Sequence, residues 1–270
     1  MRNYISILFL ISVLSVKAQQ SEWKVMWQMS IDSTTIWDVD EAMNVYVVNA
    51  SSISKYSNKG QKIVGESIKS VGTIEKLDAG NAMKPAIFSE DQQQICFLDN
   101  ALALQNCIDL SEIEIELAGT FCTSVQTDRI WIYDQLNSQL RLQTLRTNQS
   151  QVIQNLKGIT SISEVNYLTE FNNQLFLGDI SNHLVILDNF GSLLAEVDLP
   201  EHLSFQPFAD GLLIATKATI TANDFQLKTS IPFFEISSCI QEEICGFKYS
   251  NYQLVVATKQ HLYFLHMTKK

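Results

Sequence analysis

Short apolar runs, each ending in a polar turn, recur along the chain at a nearly regular interval. Period-two alternation and a high content of β-branched and aromatic residues predict that these runs are strands rather than helices. Six of them share one pattern: Asn44–Asn49, Gln94–Asp99, Arg129–Asp134, Gln174–Asp179, Gly211–Thr216 and Gln253–Thr258. Their mean spacing is about 42 residues, a period typical of stacked or radial repeat proteins.

Each of the six strands has neighbours that complete a repeat. A second strand follows a turn in every repeat: Ile53–Tyr56, Leu102–Leu104, Leu140–Leu142, Leu184–Leu187, Ile220–Ala222 and Leu262–Leu265. A preceding strand is visible in four repeats: Thr35–Val39, Ala86–Phe88, Phe121–Val125 and Glu164–Leu168. Glu112–Leu117 is the clearest outer strand, since its three glutamates would protect an exposed edge from aggregation. The repeat therefore has four strands.

Six such units predict an all-β, six-bladed β-propeller, in which neighbouring sheets bury each other's faces. The last unit ends near Met267, after only three strands. Trp23–Met29 is a spare alternating strand at the other end of the chain, with Trp23, Val25, Trp27 and Met29 expected on one face. We expect this N-terminal strand to close the last blade.

The first residues form a candidate secretory signal rather than part of the fold. Arg2 precedes an apolar run from Ile5 to Val16, and small residues at Val16–Ala18 offer a cleavage site. The run is too short for a stable membrane anchor. We predict a signal peptide at 1–18 and a single propeller domain at 19–270, placed in the periplasm or secreted.

The acidic charge balance bears on the choice of partners. Loss of Arg2 and Lys17 with the leader takes the formal charge from −10 to −12. Nucleic acid and anionic lipid are poor partners for such a chain, because both bind through cations that neutralise phosphate. We expect no nucleic-acid binding, no stable membrane insertion and a monomeric protein.

The cysteines leave the disulfide state open. Of the five, Cys96 and Cys107 lie close enough across a predicted hairpin to form a bridge, although small buried thiols are an equally good interpretation. The odd number leaves at least one cysteine outside any intrachain bridge, and the spacings do not indicate zinc.

Two of the repeats resemble those of a known propeller family. Trp37–Asp40, Asn44–Val48, Ile53–Tyr56 and Asn58–Gly60 are similar to the NHL repeat, as are Asn173–Asp179, Leu184–Asp188 and Gly191. Met43 stands where that repeat has a glycine, and only 10 glycines are present. The resemblance implies a six-bladed architecture; it does not imply a shared activity.

Some six-bladed propellers in the wider superfamily hold a calcium ion at the ring centre and act as lactonases or esterases. A hard cation needs several converging oxygen ligands. Equal spacing would place six residues near the axis: Thr35, Pro85, Thr120, Val165, His202 and Ile244. A register shifted by one adds Lys84, Glu164 and Glu243. Neither set is a carboxylate cage, so we expect no metal and no cofactor.

The four histidines give no catalytic motif. His183, His202, His261 and His266 lack both a nucleophile-elbow sequence and a paired zinc motif. A Ser-His-Asp triad stays open, since such triads assemble from distant positions. We expect structural or surface roles for these histidines and predict no catalytic residue.

One charge asymmetry suggests a ligand-binding face. The six equivalent strands end near acids in the middle repeats and near lysines in the last two: Asp99, Asp134, Asp179, Lys217 and Lys259. If these turns share one face, that face is acidic on one side and basic on the other, which suits a charged partner. The alternative is that Asp simply favours turns.

These observations favour an exported, non-enzymatic propeller that binds a protein or peptide through loops on one face. A metal-dependent lactonase or esterase and a glycan-binding propeller are the alternatives. A central ion would favour the enzyme, and exposed aromatic platforms would favour glycan binding.

Overall fold

The structure is a computed structural model that describes residues 21–147, 149–199, 204–209, 211–224, 229–235 and 239–269. The predicted signal peptide at 1–18 and His202 lie outside these residues. The described strands form six four-stranded antiparallel sheets, and the predicted six-bladed β-propeller is confirmed. None of the described helices is long and apolar enough to cross a membrane.

Blades 1 to 3 follow in chain order. Blade 1 contains β2 (Ile36–Val39), β3 (Val45–Asn49), β4 (Ser52–Tyr56) and β5 (Lys62–Ser67). Blade 2 contains β6 (Lys76–Asp78), β7 (Ala86–Ser89), β8 (Gln94–Leu98) and β9 (Leu104–Asp109). Blade 3 contains β10 (Ala118–Thr123), β11 (Arg129–Asp134), β12 (Gln139–Thr144) and β13 (Ser150–Ile153).

Blades 4 to 6 complete the ring. Blade 4 contains β14 (Tyr167–Phe171), β15 (Gln174–Gly178), β16 (His183–Asp188) and β17 (Leu193–Asp198). Blade 5 contains β18 (Ser204–Phe208), β19 (Gly211–Ala215), β20 (Thr219–Asp224) and β21 (Thr229–Glu235). Blade 6 contains β22 (Gly246–Ser250), β23 (Gln253–Ala257), β24 (His261–Lys269) and β1 (Ser21–Ser30). Between blades lie α1 (Leu156–Ile159) and two 3₁₀ turns, Lys69–Val71 and Leu110–Ile113.

The first strand of each blade lies at the axis, where it contacts first strands of neighbouring blades. Because strands alternate in direction, the turns between second and third strands lie on the same side as the connections between blades. We call this side the upper face. The lower face carries the turns between first and second and between third and fourth strands.

The N-terminal strand closes blade 6, as predicted. β1 pairs with β24 from Ser21 opposite Lys269 to Ser30 opposite His261. The prediction that its four apolar residues share one face was wrong, because a β-bulge between Val25 and Trp27 reverses the alternation. Trp23 packs against blade 5, and Trp27 packs in the core shared with blade 1.

The described residues form six hydrophobic core clusters, one between each pair of adjacent blades. Second strands are buried on both faces, which explains why their sequences are almost continuously apolar. The third strands of blades 2, 4 and 6 share this property, whereas those of blades 1, 3 and 5 carry polar residues. Trp131, fully buried, fills the space between blades 3 and 4, and Trp37 packs between blades 6 and 1. Both tryptophans are therefore structural.

Blade 2 departs from the predicted register. Gln94–Leu98 is its third strand, so it is not equivalent to the other five strands of the repeat pattern. Glu112–Leu117 is not an outer strand, because Asp109 accepts the N–H of Ser111 (2.9 Å) and starts a 3₁₀ turn there. Leu104–Asp109 forms the outer edge instead.

Cys96 and Cys107 lie directly opposite each other on β8 and β9 and form a disulfide. The bridge left open by the sequence is therefore present in the structure, within one blade. Cys122 is a buried thiol on β10.

We predict that Trp27→Ala lowers the free energy of unfolding by about 3 kcal/mol, the usual cost of truncating a packed tryptophan. Trp27 stacks on Phe264 with ring centroids 5.4 Å apart, and its Nε1 donates to the carbonyl of Asn58 in blade 1 (3.0 Å). Met26, 58% exposed at the bulge, is the matched control, and Met26→Ala should change stability by less than about 0.5 kcal/mol. Urea unfolding of both variants is the measurement; equal losses would contradict the role of Trp27.

Candidate functional site

The six inner strands place two rings of equivalent side chains around the axis. Pairing of each first strand with its second strand fixes the equivalence. The ring nearer the upper face comprises Ile36, Lys76, Thr120, Tyr167, Ser204 and Gly246. The ring two residues deeper comprises Asp38, Asp78, Cys122, Thr169, Gln206 and Lys248. The axis is therefore lined by charged and polar side chains at both levels.

An ion pair joins blade 6 to blade 1 at the deeper level. Lys248 Nζ lies 2.8 Å from Asp38 Oδ1. The Lys248 side chain is 40% exposed although it lies at the centre of the ring, so this part of the axis is accessible to water. Burial opposes the charge of Lys248, but the nearby carboxylate of Asp38 outweighs it and the pKa of Lys248 is raised. Lys248 is therefore a cation at neutral pH.

The remaining axial groups include a second lysine and two neutral donors. Burial lowers the pKa of Lys76, whose Nζ donates to Thr120 Oγ1 at 2.5 Å. Burial raises the pKa of Tyr167 to about 12, and burial with the charge of Asp78 raises the pKa of the Cys122 thiol. Tyr167 and Cys122 are therefore uncharged at neutral pH, and the axis combines both signs of charge with neutral polar groups.

Side chains of the deeper ring also bond across the interfaces between blades. Asp38 Oδ2 accepts the N–H of Ala79 in blade 2 (2.8 Å), and Asp78 Oδ2 accepts the N–H of Thr123 in blade 3 (2.7 Å). Gln206 both accepts from and donates to the backbone of Tyr249 in blade 6, each at 2.8 Å. Hydrogen bonds of this kind, buried or partly buried, fix the position of one sheet relative to the next.

Between the described inner strands of blades 4 and 5 the equivalent bond cannot form. The equivalent N–H position in blade 5 is occupied by Pro207, which has no N–H to donate. Tyr167 of blade 4 instead packs on Phe205 of blade 5, with ring centroids 4.3 Å apart. At the axis, the inner strands of blades 4 and 5 therefore meet through packed rings, whereas those of blades 1 and 2, 2 and 3, and 5 and 6 meet through hydrogen bonds.

A pocket of about 430 Å³ opens on the upper face at this same interface. Its walls come from the start of β14, the turn after β15 and the start of β18. The residues that line it are Asn166, Tyr167, Gly178, Asp179, Ile180, Asn182, Ser204 and Phe205. Ile180 is 77% exposed at its rim, and Tyr167 extends from its lining into the axial cluster. Pockets of this size accommodate a small ligand or a few residues of a peptide.

The five candidate ligand-face residues do not share one face. Asp134, Asp179, Lys217 and Lys259 lie at turns between second and third strands, on the upper face. Asp99 follows β8, a third strand, and therefore lies on the lower face. The expectation of a common face fails for Asp99 because the register of blade 2 was assigned one strand too early.

The three aspartates hold their own turns. Asp99 Oδ1 accepts the N–H groups of Ala101 and Ala103 at 2.8 and 2.9 Å. Asp179 Oδ1 accepts from Ser181 and His183 in the same way, and Asp134 Oδ1 accepts the N–H of Asn137. Asp134 and Asp179 are also buried, so turn formation accounts for these carboxylates.

The two lysines are exposed and lie on the upper face of blades 5 and 6. Lys217 Nζ lies 3.7 Å from Glu243 Oε2, and both side chains are more than half exposed. Lys259 occupies the turn between β23 and β24. Of the five candidates, the lysines are the ones positioned to meet a partner.

Among the described residues, equal spacing located one of the proposed axial positions, Thr120, whereas Thr35 comes one residue before the ring position at Ile36. Pro85 and Lys84 lie in a lower-face turn of blade 2, while Val165, Ile244, Glu164 and Glu243 lie in upper-face connections before their inner strands. Among the described residues no group of three or more His, Cys, Asp or Glu side chains is arranged to hold a metal ion. The true axial charges, such as Asp38 and Lys248, were missed because connections between blades differ in length.

A Ser-His-Asp constellation is present on the upper rim of blade 4. His183 Nε2 lies 2.7 Å from Ser161 Oγ, and His183 Nδ1 lies 2.8 Å from Asp198 Oδ1. Glu196 lies beside them: its Oε2 is 3.1 Å from Ser161 Oγ, and its Oε1 accepts the N–H of Ser161. Asp198 is 93% exposed, unlike the buried orienting acid of a catalytic triad.

This group joins the connection before blade 4 to β16 and β17 and so forms a clamp. Ser161 has one hydroxyl hydrogen, so it cannot donate to both His183 and Glu196. When both ring nitrogens of His183 carry hydrogen, the ring donates to Asp198 and to Ser161, and Ser161 donates to Glu196. In that state the histidine cannot act as the base that a serine nucleophile requires.

Blade 6 has an equivalent histidine contact at the start of its third strand. His261, like His183, begins the third strand of its blade, and its Nδ1 lies 2.7 Å from Glu242 in the connection before that blade. Tyr263 and Thr258 also donate to Glu242, and the bond from Thr258 is the largest cause of its lowered pKa. Both histidines therefore tie strands of their blade to the connection that enters it.

Comparisons with known proteins support the architecture. No protein-family model matches the chain, and no curated protein is significantly similar to it in sequence. The WD40 domain of Pan2 from Neurospora crassa is similar in structure, with a TM-score of 0.65 and 7% identity over 92% of this chain and 96% of that one. BBS1N, solved in complex with ARL6DN, gives a TM-score of 0.57 and 13% identity over 88% of this chain and 79% of that one. Likenesses at these identities show the fold alone.

We predict that Asp38 and Lys248 are energetically coupled. Lys248→Met leaves a buried carboxylate without its cation and should destabilise the fold, whereas the double variant Asp38→Asn, Lys248→Met recovers part of the loss. A double-mutant cycle by urea unfolding should give a coupling of about 1–2 kcal/mol, below that of a dry pair because water reaches Lys248. Additive losses would contradict the ion pair.

We also predict that Ser161 is not an activated nucleophile. A fluorophosphonate probe should leave Ser161 unlabelled in the folded protein, and Ser161→Ala should cost about 1 kcal/mol of stability through loss of the clamp. Mass spectrometry of the probe-treated chain is the measurement. Labelling of Ser161 that disappears in His183→Ala would show a catalytic pair instead.

Proposed function

We propose that this chain is an exported, non-enzymatic β-propeller that holds a protein or peptide on its upper face. The observation that carries the proposal is the pocket of about 430 Å³ between blades 4 and 5, at the mouth of the polar axis. It lies at the interface where Pro207 removes the polar bond between inner strands.

The pocket's chemistry suits a short extended peptide. Ile180, 77% exposed, and the rings of Tyr167 and Phe205 offer an apolar wall for one side chain. Asn166 and Asn182 carry amides that both donate and accept, as a peptide backbone does. A small number of placed polar groups among apolar walls is the usual composition of a specific pocket.

Charge on the same face would orient the partner. Lys217 and Lys259 are exposed on the upper face of blades 5 and 6, and Lys217 follows β19, the strand that pairs with β18 of the pocket wall. A partner with acidic residues flanking its docking segment would be attracted to that side, because complementary charge speeds encounter and fixes orientation. We therefore propose an acidic-flanked peptide segment.

One structural neighbour, BBS1N, was solved in complex with ARL6DN. This supports a binding role for the fold in general. Kinship with NHL-type propellers, suggested by the repeats at Trp37–Asp40 and Asn173–Asp179, is part of the same proposal.

Export is proposed from the sequence of 1–18, which would be cleaved to leave the propeller in the periplasm or outside the cell. The disulfide between Cys96 and Cys107 supports this location, because disulfides persist in oxidising compartments.

The proposal is tested by crosslinking the purified propeller to proteins of the cell envelope and medium and mapping the crosslinks by mass spectrometry. We expect one protein to crosslink reproducibly to the upper face, with capture about tenfold weaker for Ile180→Asp, which puts a charge on the apolar rim. Met83→Asp is the matched control, because Met83 is 72% exposed but lies on the lower face. Equal capture by the wild type, Ile180→Asp and Met83→Asp would refute the proposal. Crosslinks confined to the lower face would refute it as well.

A further inference from the structure

A second pocket, of about 440 Å³, lies on the lower face between blades 3 and 4. It is separate from the upper-face pocket, because it is built from lower-face turns and the strand ends beside them. Phe190, 83% exposed, stands in the turn between β16 and β17 and forms part of its lining. The side chains facing it are otherwise mainly polar, with Arg129, Gln151, Asn173 and Asp188 among them.

The turn that presents Phe190 is fixed on both sides. Asp188 Oδ1 accepts the N–H groups of Phe190 (2.9 Å) and Ser192 (2.8 Å), and Gly191 adopts the positive φ of 91° that the turn requires. Gln151 Nε2 of blade 3 donates to the carbonyl of Asn189 at 2.9 Å. Phe190 is therefore held outward on a rigid support, and a ligand that stacks on it would lose little binding energy to ordering.

The polar lining offers donors and acceptors without net charge. Arg129 donates to Gln126 Oε1 at 2.6 Å, which orients its guanidinium beside the pocket. Asp188 balances the charge of Arg129, and the amides of Asn173 and Gln151 add further donors and acceptors. An anionic or cationic ligand would find no excess of the opposite charge here.

We propose that this pocket binds a neutral carbohydrate. A pyranose has a face of C–H groups and an edge of hydroxyl groups. The negative face of an aromatic ring attracts the C–H groups, while planar amides, Arg129 and Asp188 pair with hydroxyls that each donate and accept. The pocket's volume suits one or two sugar units. This site goes beyond the peptide-binding role and is independent of it.

The test is saturation-transfer NMR on the purified propeller with cellobiose, maltose, laminaribiose and mannobiose as probes. We expect at least one disaccharide to bind through its C–H protons, with affinity reduced about tenfold in Phe190→Ala and retained in Phe190→Trp. Asn173→Gly should also weaken binding, because glycine keeps the positive φ of 59° and removes only the amide.

Ile180→Asp is the matched control, since it alters the upper face and should leave sugar binding unchanged. If the Ile180→Asp variant fails to capture a protein partner but binds sugar normally, the two sites are independent. Absence of binding by all four disaccharides, or equal affinity in the wild type and Phe190→Ala, would overturn the carbohydrate site.

Discussion

Closure of the ring is the constraint on which the rest of the structure depends. Each blade buries both faces only if it has a neighbour on each side, and blade 6 is complete only when β1 pairs with β24. The bulge between Val25 and Trp27 lets one strand serve two interfaces, with Trp23 directed to blade 5 and Trp27 to blade 1. The first and last described strands therefore meet in one sheet, and the axial rings and both pockets rely on that pairing.

Much of this architecture could be predicted from the sequence because buried strands carry a strong signal. Second strands, covered on both faces, are nearly all apolar, as are the third strands of blades 2, 4 and 6, and the spacing of the apolar strands gives the number of blades. The same property caused the error in blade 2, where the third strand Gln94–Leu98 is as apolar as a second strand. The inner strand Lys76–Asp78, which is short and charged, gave no apolar pattern and was missed.

The candidate site was less accessible to sequence reasoning, for physical reasons. Connections between blades vary in length, so a constant offset finds Thr120 at the axis but not Asp38 or Lys248. In a sequence, an aspartate that binds a ligand cannot be told from one that accepts hydrogen bonds from its own turn. In the structure, Asp134 and Asp179 accept backbone N–H groups of their own turns. Exposure of Phe190 and Ile180 is set by tertiary packing, which alternation within a strand does not encode.

Pro207 makes the axial contact between blades 4 and 5 different in kind from the contacts between other blades. At the axis, blades joined through Asp38, Asp78 and Gln206 must break a hydrogen bond to separate, whereas the described inner strands of blades 4 and 5 meet through the rings of Tyr167 and Phe205. Packed rings tolerate small displacements that a directional bond does not. A ligand bound between blades 4 and 5 could therefore displace these two rings without breaking the hydrogen bonds at Asp38, Asp78 and Gln206 or the ion pair between Lys248 and Asp38, so the other blades would keep their positions.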